Sequence, residues 1–461
     1  MPSGYIPSAN TVETQTLAPV KQGYAWLVCG VAAVAGLLFG FDIAVINGAI
    51  VFLRAQFHLT DFETEFAVSI LLIGCIAGAA VAGWLSDRYG RKRVLSFSAL
   101  LFAISSLGAA LPRDFVQFSI ARFIGGIAIG VASVLAPLYI AEVAPARIRG
   151  RLVSLNQMAI VTGILLAYLV NWALSYSGAA SWRWMFAAAV VPSLGLFAGV
   201  FFVPESPRWL MEQGRESDAH HVLSRVEGEA RADIQLVQIR EALQQETGTF
   251  GDLLAPALRK PLFLVVALSI LQQITGINTV LFYGSIIWER ELGSHSHSAA
   301  IGANATIGMV NFVVTIAALW LIERSGRRSI LMWSSGCMAI CQLILGLAFL
   351  FQPPPAMLVL GAMLLCVAAF AIGLGPATWV LMAELFPTRV RGRAMSIANM
   401  ALWIACFALT FTFLSLTHAI TITGAFCLYS FMCVLTFVLV WRAVPETKGK
   451  TLEEIEFMWQ K

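Results

Sequence analysis

Three short motifs occur twice in this chain, in the same order and at nearly the same spacing, and this duplication constrains the fold more than any other feature. Gly83-Trp84-Leu85-Ser86-Asp87-Arg88-Tyr89-Gly90-Arg91-Lys92-Arg93 is answered by Ile322-Glu323-Arg324-Ser325-Gly326-Arg327-Arg328. Ala141-Glu142-Val143-Ala144-Pro145-Ala146-Arg147-Ile148-Arg149-Gly150-Arg151 is answered by Ala383-Glu384-Leu385-Phe386-Pro387-Thr388-Arg389-Val390-Arg391-Gly392-Arg393. Pro204-Glu205-Ser206 returns as Pro445-Glu446-Thr447. Nearly the same length of chain separates Asp87 from Glu323, Glu142 from Glu384 and Pro204 from Pro445.

What is duplicated is a membrane unit. The 461 residues are 59% hydrophobic and 12% charged, against about 25% charged in ordinary soluble domains. Twelve apolar runs reach the roughly 20 residues that a spanning helix needs: 24–52, 66–86, 94–112, 115–141, 152–176, 184–203, 261–289, 299–322, 329–351, 356–386, 394–417 and 420–444. With a cytoplasmic N-terminus, 25 of the 30 Lys and Arg fall inside, Arg54, Arg113, Arg183 and Arg290 fall outside, and Arg122 is left within a span. That bias predicts both termini cytoplasmic. Each repeated motif then follows an equivalent span at the cytoplasmic boundary. The expected fold is an all-α membrane protein of twelve transmembrane helices in two pseudo-symmetric six-helix halves, a transporter plan that holds substrate between the halves at mid-membrane.

The expected division is a disordered tail (1–22), a first half (23–203), a cytoplasmic linker (204–260), a second half (261–444) and a cytoplasmic tail (445–461). Short apolar periodicities in the linker, such as Ile234, Val237 and Ile239, suggest small surface helices; a passive connector is the other reading. The stretch before the first span is polar with no basic n-region, so no cleavable signal is expected. The eight cysteines lie in apolar runs without CxxC spacing and read as small packing residues rather than metal ligands or disulfides. Asn304-Ala305-Thr306 is a sequon too near a span to credit, and His295 and His297 in an outer loop need no metal to explain them. No catalytic triad, Walker loop or metal cluster is present, so we expect no covalent chemistry, no cofactor and no nucleic-acid partner.

Among the 26 acids, Asp42 alone falls well inside a spanning run, as Arg122 does among the cations. Ionisable groups in hydrocarbon are costly, face a bundle interior, pair with one another and mark ion or substrate paths. Arg122 lies about seven residues, roughly 10 Å, into the fourth span, at a depth comparable to that of Asp42. A nearby cation favours the charged carboxylate and burial disfavours it, so a cavity that opens and closes changes which effect wins. That is a proton carrier; a permanent structural salt bridge is the alternative. The seventh run concentrates Gln272, Gln273, Thr275, Asn278 and Tyr283. Unpartnered amides in hydrocarbon are expensive, so three on one helix imply a wet cavity, a polar ligand or helix–helix hydrogen bonds. Each amide offers donor and acceptor together, which suits sugar hydroxyls.

At the cytoplasmic boundary Glu142 and Glu384 end spans four and ten, where negative charge opposes the helix dipole unless a cation answers it. Arg149 and Arg91 are the candidates in the first half, Arg391 and Arg327 in the second, because the planar guanidinium matches a carboxylate. Such pairs could latch the halves together when the inside is closed. Topology signalling by exposed bases is the alternative, but it leaves the repeated acids unexplained.

The full set of motifs resembles the sugar porter family of the major facilitator superfamily, as found in bacterial proton symporters for galactose, arabinose and xylose. The residues that carry the resemblance are Asp87-Arg88-x-Gly90-Arg91-Lys92, Pro204-Glu205-Ser206-Pro207-Arg208-Trp209-Leu210, Gln272-Gln273-Ile274-Thr275-Gly276-Ile277-Asn278, Glu323-Arg324-x-Gly326-Arg327-Arg328 and Pro445-Glu446-Thr447-Lys448-Gly449. The resemblance implies sugar contacts at Gln272, Gln273, Asn278 and Asn311, and an aromatic platform at Trp379. It also implies an extracellular gate at Phe282 and Tyr283, beside a discontinuity at Gly276 and Gly284. With the acids of the repeated motifs included, the expected cytoplasmic latch comprises Asp87, Arg91, Glu142, Arg149, Glu323, Arg327, Glu384 and Arg391. Gly373-Leu374-Gly375-Pro376 suggests a hinge beside Trp379, or a static kink. Ile164, Ala371, Leu402 and Cys406 depart from more polar family positions and imply a less polar site.

Proton-coupled members carry Asp where passive facilitators tend to carry Asn, so the expectation is a proton–monosaccharide symporter, with Asp42 and Arg122 as the coupling pair. It is expected to work as a monomer in the lipid bilayer of a plasma or bacterial inner membrane. A uniporter of the same fold is the first rival. A non-transporting sugar sensor is the second; a sensor would usually carry a long signalling tail, and the short stretches before the first span and after the last argue against it.

Overall fold

The computed structural model describes residues 23–145, 147–244, 251–291, 297–386 and 388–448. The first five helices, α1 (Gly23–Phe57), α2 (Asp61–Tyr89), α3 (Arg91–Ala110), α4 (Phe115–Val143) and α5 (Arg149–Leu174), extend beyond their apolar runs into polar ends. Side chains cap the starts of α2 and α4. Thr60 Oγ1 accepts from Glu63 N–H while Glu63 answers the Thr60 N–H at 2.9 Å, a reciprocal box that starts α2. Asp114 accepts from Gln117 N–H at 2.8 Å and starts α4. Along α3, Phe97, Leu100, Ile104 and Leu107 form an exposed apolar stripe at helical spacing, the surface expected against lipid.

Glycine brings the helices that carry the ionisable pair into backbone contact. A Cβ on Gly126 of α4 would lie 2.0 Å from Leu71 O of α2, and one on Gly40 of α1 would lie 1.9 Å from Ile160 O of α5. Small residues permit such close crossings where no hydrophobic effect drives helices together.

Several runs are broken. The sixth, continuous in the sequence reading, consists of α6 (Ser181–Ala187) and α7 (Val190–Phe201). Pro192 cannot donate to the Ala188 carbonyl four residues back, while Ala188 and Ala189 keep near-helical φ of −58° and −68°. The linker folds as α8 (Pro207–Glu212), α9 (Glu216–Glu227) and α10 (Glu229–Gln244). Its buried stripe on α10 is Ala232 and Leu236 with Ile239 packed beside them. Ile234 and Val237 are exposed instead, because they fall on the opposite face of the 3.6-residue period. Trp209 anchors the linker by donating its Nε1–H to Asp87 O at 2.9 Å.

In the second half, α11 (Pro256–Ile274) and α12 (Ile277–Glu291) meet at Gly276, whose φ of +82° is accessible to glycine at little cost. A Cβ there would also lie 2.4 Å from the Tyr429 ring. Gly284, expected as a second discontinuity, lies inside continuous helix. Next come α13 (His297–Ser325), α14 (Arg327–Ala348), α15 (Ala356–Ile372) and α16 (Leu374–Glu384), the last two separated at Gly373. The final helix, α17 (Thr388–Ala443), has 56 residues interrupted by Thr421 at φ 65° and ψ 164°. Thr421 Oγ1 accepts from Gly424 N–H at 3.2 Å, which caps a new start. Both ends of α17 lie at one face: Thr447, just beyond it, donates to Glu384, just before it, at 2.6 Å. It therefore crosses twice. Eleven segments among the described residues are long and apolar enough to span a membrane; counting α17 as two crossings gives twelve, in two six-helix halves.

Candidate functional site

Arg122 is fully buried and Asp42 is 4% exposed. Arg122 Nη1 lies 2.5 Å from Asp42 Oδ1, and Nη1 and Nη2 each donate to the Asp42 main-chain oxygen at 3.2 Å. Behind the guanidinium, the Phe186 ring of α6 stands with its centroid 5.3 Å from Arg122 Cζ, within cation–π range. The cation is therefore held by a charge, a carbonyl and an aromatic face. Only the first of these changes when the carboxylate takes a proton.

Across the bundle, the amides at the α11–α12 break form a directed chain. Asn278 Nδ2 donates to Gln273 Oε1 at 2.5 Å, Gln273 Nε2 to Gln272 Oε1 at 3.2 Å, and Gln272 Nε2 to Leu374 O at 2.6 Å and Gly375 O at 3.3 Å. The chain ties the break on α11–α12 to the break on α15–α16, so Gln272 makes helix–helix hydrogen bonds. Asn278 Nδ2 also approaches Cys406 Sγ at 3.3 Å. Asn311 is buried, and Trp379 is half-buried against the core. Cys406, Leu402, Ala371 and Ile164 are all buried. Gln342 Nε2 caps Thr275 O, the end of α11, at 2.7 Å.

At the end of the bundle that the charge count assigns to the outside, hydrogen bonds join the halves. Asn47 of α1 inserts its amide into α12: Nδ2 donates to Leu281 O at 2.6 Å while Oδ1 accepts from Ser285 N–H at 3.0 Å and Ser285 Oγ–H at 2.6 Å. Tyr168 of α5 donates to the same Leu281 O at 2.9 Å. Glu65 of α2 accepts from Ser415 N–H at 2.7 Å and Oγ–H at 2.6 Å, and His418 Nε2 lies 2.6 Å from Asp61 Oδ2. Tyr283 is buried, donates to Thr410 O at 2.7 Å and packs on Phe413 at 5.0 Å; Phe282 is buried beside it. These contacts hold the two halves together at this end.

At the opposite end the repeated motifs make two matching clusters. Arg91 grips Glu142 through Nε at 3.0 Å and Nη2 at 3.1 Å, and approaches the exposed Asp87 at 3.3 Å. Ser206 donates to Glu142 at 2.6 Å, and Glu205 accepts the Lys92 N–H at 3.1 Å. In the second half Arg327 Nη2 meets Glu384 at 3.0 Å, Thr447 takes the place of Ser206, and Glu446 accepts the Arg327 N–H at 2.9 Å. Both clusters lie within one half rather than between halves: each joins helix ends brought together by the repeat's own fold. Arg149 is exposed, and among the described residues no ion pair we find includes it. The side chains of Glu323, Arg391 and His297, and the whole of His295, lie outside the described residues.

Sequence reasoning passed over Glu65, Asn47 and Trp403. Glu65 is 1% exposed yet sits at the polar edge of its apolar run, and the partners of Asn47, Leu281 and Ser285, belong to the other half of the chain. Trp403 packs on Phe39 across the halves at 5.8 Å, and its Nε1 is buried without a hydrogen-bond partner.

The family described as sugar (and other) transporter matches residues 28–459. The arabinose-proton symporter of Bacillus subtilis is 36% identical over 448 residues, covering 96% of each chain. The D-xylose-proton symporter of Escherichia coli is 38% identical over 478 residues, covering 95% of this chain and 96% of the relative. The solved structure of the major facilitator superfamily proton:xylose symporter XylE, bound to 6-bromo-6-deoxy-D-glucose, superposes with a TM-score of 0.82 at 38% identity, covering 95% of this chain and 99% of that one. With the family match running over nearly its whole length and the duplicated fold in place, the chain belongs to the sugar (and other) transporter family and has the major facilitator fold.

Proposed function

We propose that this transporter imports a monosaccharide, a pentose or a hexose, together with a proton by alternating access, as a monomer with both termini cytoplasmic. The observation that carries the reading is the Asp42–Arg122 pair: a buried carboxylate at mid-depth, held by a cation that keeps two other partners when the carboxylate is neutral. The names of the two proton-coupled relatives support it. Gln272, Gln273, Asn278, Asn311 and Trp379 form the sugar site on the opposite half, with Cys406 softening its polarity. Phe282 and Tyr283, with the Asn47 bridge, close the outer gate. The Arg91–Glu142 and Arg327–Glu384 clusters act as the cytoplasmic latch indirectly, by setting the helix ends that meet when the inside closes.

A panel of pentoses and hexoses, offered to proteoliposomes under an inward proton gradient, tests the reading. At least one sugar accumulates above its outside concentration, and a protonophore returns it to equilibrium. Uptake that reaches only equilibrium and ignores the protonophore identifies a uniporter.

A further inference from the structure

The proton site has an unused oxygen. Arg122 engages Asp42 through Oδ1 and the main chain, while Oδ2 is buried with no hydrogen-bond partner. Gly125, on α4 three residues beyond Arg122, lies beneath it. A methyl group at Gly125 would stand 2.9 Å from Asp42 Oδ2 and 2.3 Å from Ser105 Oγ of α3. Both distances are too short for a methyl group to fit, so the two oxygens converge over the bare face of Gly125, no more than about 5.2 Å apart and within reach of a side-chain rotation.

The direction of Ser105's own hydrogen bond gives that proximity a sign. Its hydroxyl donates to Ala121 O at 2.9 Å, which commits its one proton and leaves its lone pairs as acceptors. A carboxylate gains nothing from an acceptor. A carboxylic acid does, because protonation at Oδ2 creates an O–H donor that would otherwise be buried without a partner. Arg122 favours the charged form through Oδ1; Ser105 favours the neutral form at Oδ2.

Among the described residues, Asp42 Oδ2 has no hydrogen-bond partner, and the charged and titratable groups around it are few. Around Asp42, α4 contributes the charge of Arg122 and α2 the Cys75 thiol, which lies within electrostatic reach. On α6, Phe186 faces Arg122, and Arg183 turns away to donate to Ala110 O at 2.9 Å and Pro112 O at 3.1 Å. On α5, Gly163 meets α1 through the Leu37 carbonyl, and Cys406 of α17 lies within electrostatic reach of Cys75.

We propose that the coupling proton resides on Asp42 Oδ2 and that Ser105, across the bare face of Gly125, accepts its hydrogen bond and so sets the pH range in which the carrier loads. This rests on the proton-coupled reading above, and the experiment separates the two. Initial rates of proton-driven sugar uptake are measured against external pH in proteoliposomes for the wild type, Ser105→Ala, Ser105→Cys and Ser105→Thr, with sugar counterflow at fixed pH as the control for folding. Losing one net hydrogen bond to the acid moves the profile of Ser105→Ala to lower pH by about one unit, with counterflow preserved. Ser105→Thr keeps the wild-type profile, and Ser105→Cys, a weaker acceptor of similar size, moves the same way by less.

A profile for Ser105→Ala that does not move, or moves to higher pH, overturns the proposal; the latter would mean that Ser105 donates to the carboxylate. If Ser105→Ala does not assemble, Ser105→Cys decides by the same criterion, with Ser105→Thr as the unshifted reference. A wild type that moves sugar with no proton removes the proton-coupled reading, and this inference with it. A coupled wild type with an unshifted Ser105→Ala removes the inference alone.

Discussion

Asp42→Asn is expected to abolish proton-driven sugar accumulation while sugar exchange down a gradient continues. The substitution keeps the shape of the side chain and an oxygen for Arg122 Nη1, now 2.5 Å from Asp42 Oδ1, but leaves no group that takes up a proton. Arg122 retains the main-chain oxygen of residue 42 and the Phe186 face, so the buried cation is not stranded. That limits the several kcal/mol that breaking a buried pair can cost. At one proton per sugar, each pH unit of gradient sustains about tenfold accumulation. The wild type should reach such ratios and the variant should stop at unity, measured as the internal-to-external ratio of labelled sugar at steady state. Accumulation that survives in Asp42→Asn would assign coupling to another group, and the Asp42–Arg122 pair would then be a structural salt bridge.

Gln273→Ala is expected to weaken sugar binding on the order of tenfold to a hundredfold, the effect of losing one amide whose partner is left unsatisfied. Gln273 is the middle link of the amide chain, accepting from Asn278 and donating to Gln272. Unlike Gln272, it does not hold the Leu374 and Gly375 carbonyls at the α15–α16 break. Its loss therefore acts on the ligand more than on the helix junction. Titration calorimetry on the purified protein reads the affinity. A series of deoxy sugars identifies the hydroxyl involved, because the analogue lacking it should bind wild type and variant with nearly equal affinity. Equal affinity of both proteins for every sugar in the series would remove Gln273 from the site.

The parts of this molecule legible in its sequence are those governed by local chemistry. Asp42 and Arg122 stand out because a charge in an apolar run needs a partner, and each had only one available at its depth. Gly276 marks the break in the seventh span because its backbone takes a φ of +82° that side chains resist. Gly284 shares the residue type but not the conformation: a Cβ there would lie 2.2 Å from Asn304 Oδ1, so the glycine provides room for a neighbour inside an unbroken helix. Arg91 and Arg149 are equally plausible partners for Glu142 in sequence. The start of α3 places Arg91 beside Glu142, whereas Arg149 opens α5 on an exposed turn. Glu65 and Asn47 were missed for a related reason. Their roles depend on Ser415 and on Leu281 with Ser285, contacts between halves that no periodicity within one helix reveals.

The most direct test is whether sugar moves protons. Proteoliposomes carrying the purified chain and an internal pH-sensitive dye, with the membrane potential clamped and no initial pH gradient, receive a transported sugar from outside. Internal acidification that tracks sugar entry, and that is absent in Asp42→Asn, is the expected result. Sugar entry at an unchanged internal pH would contradict it.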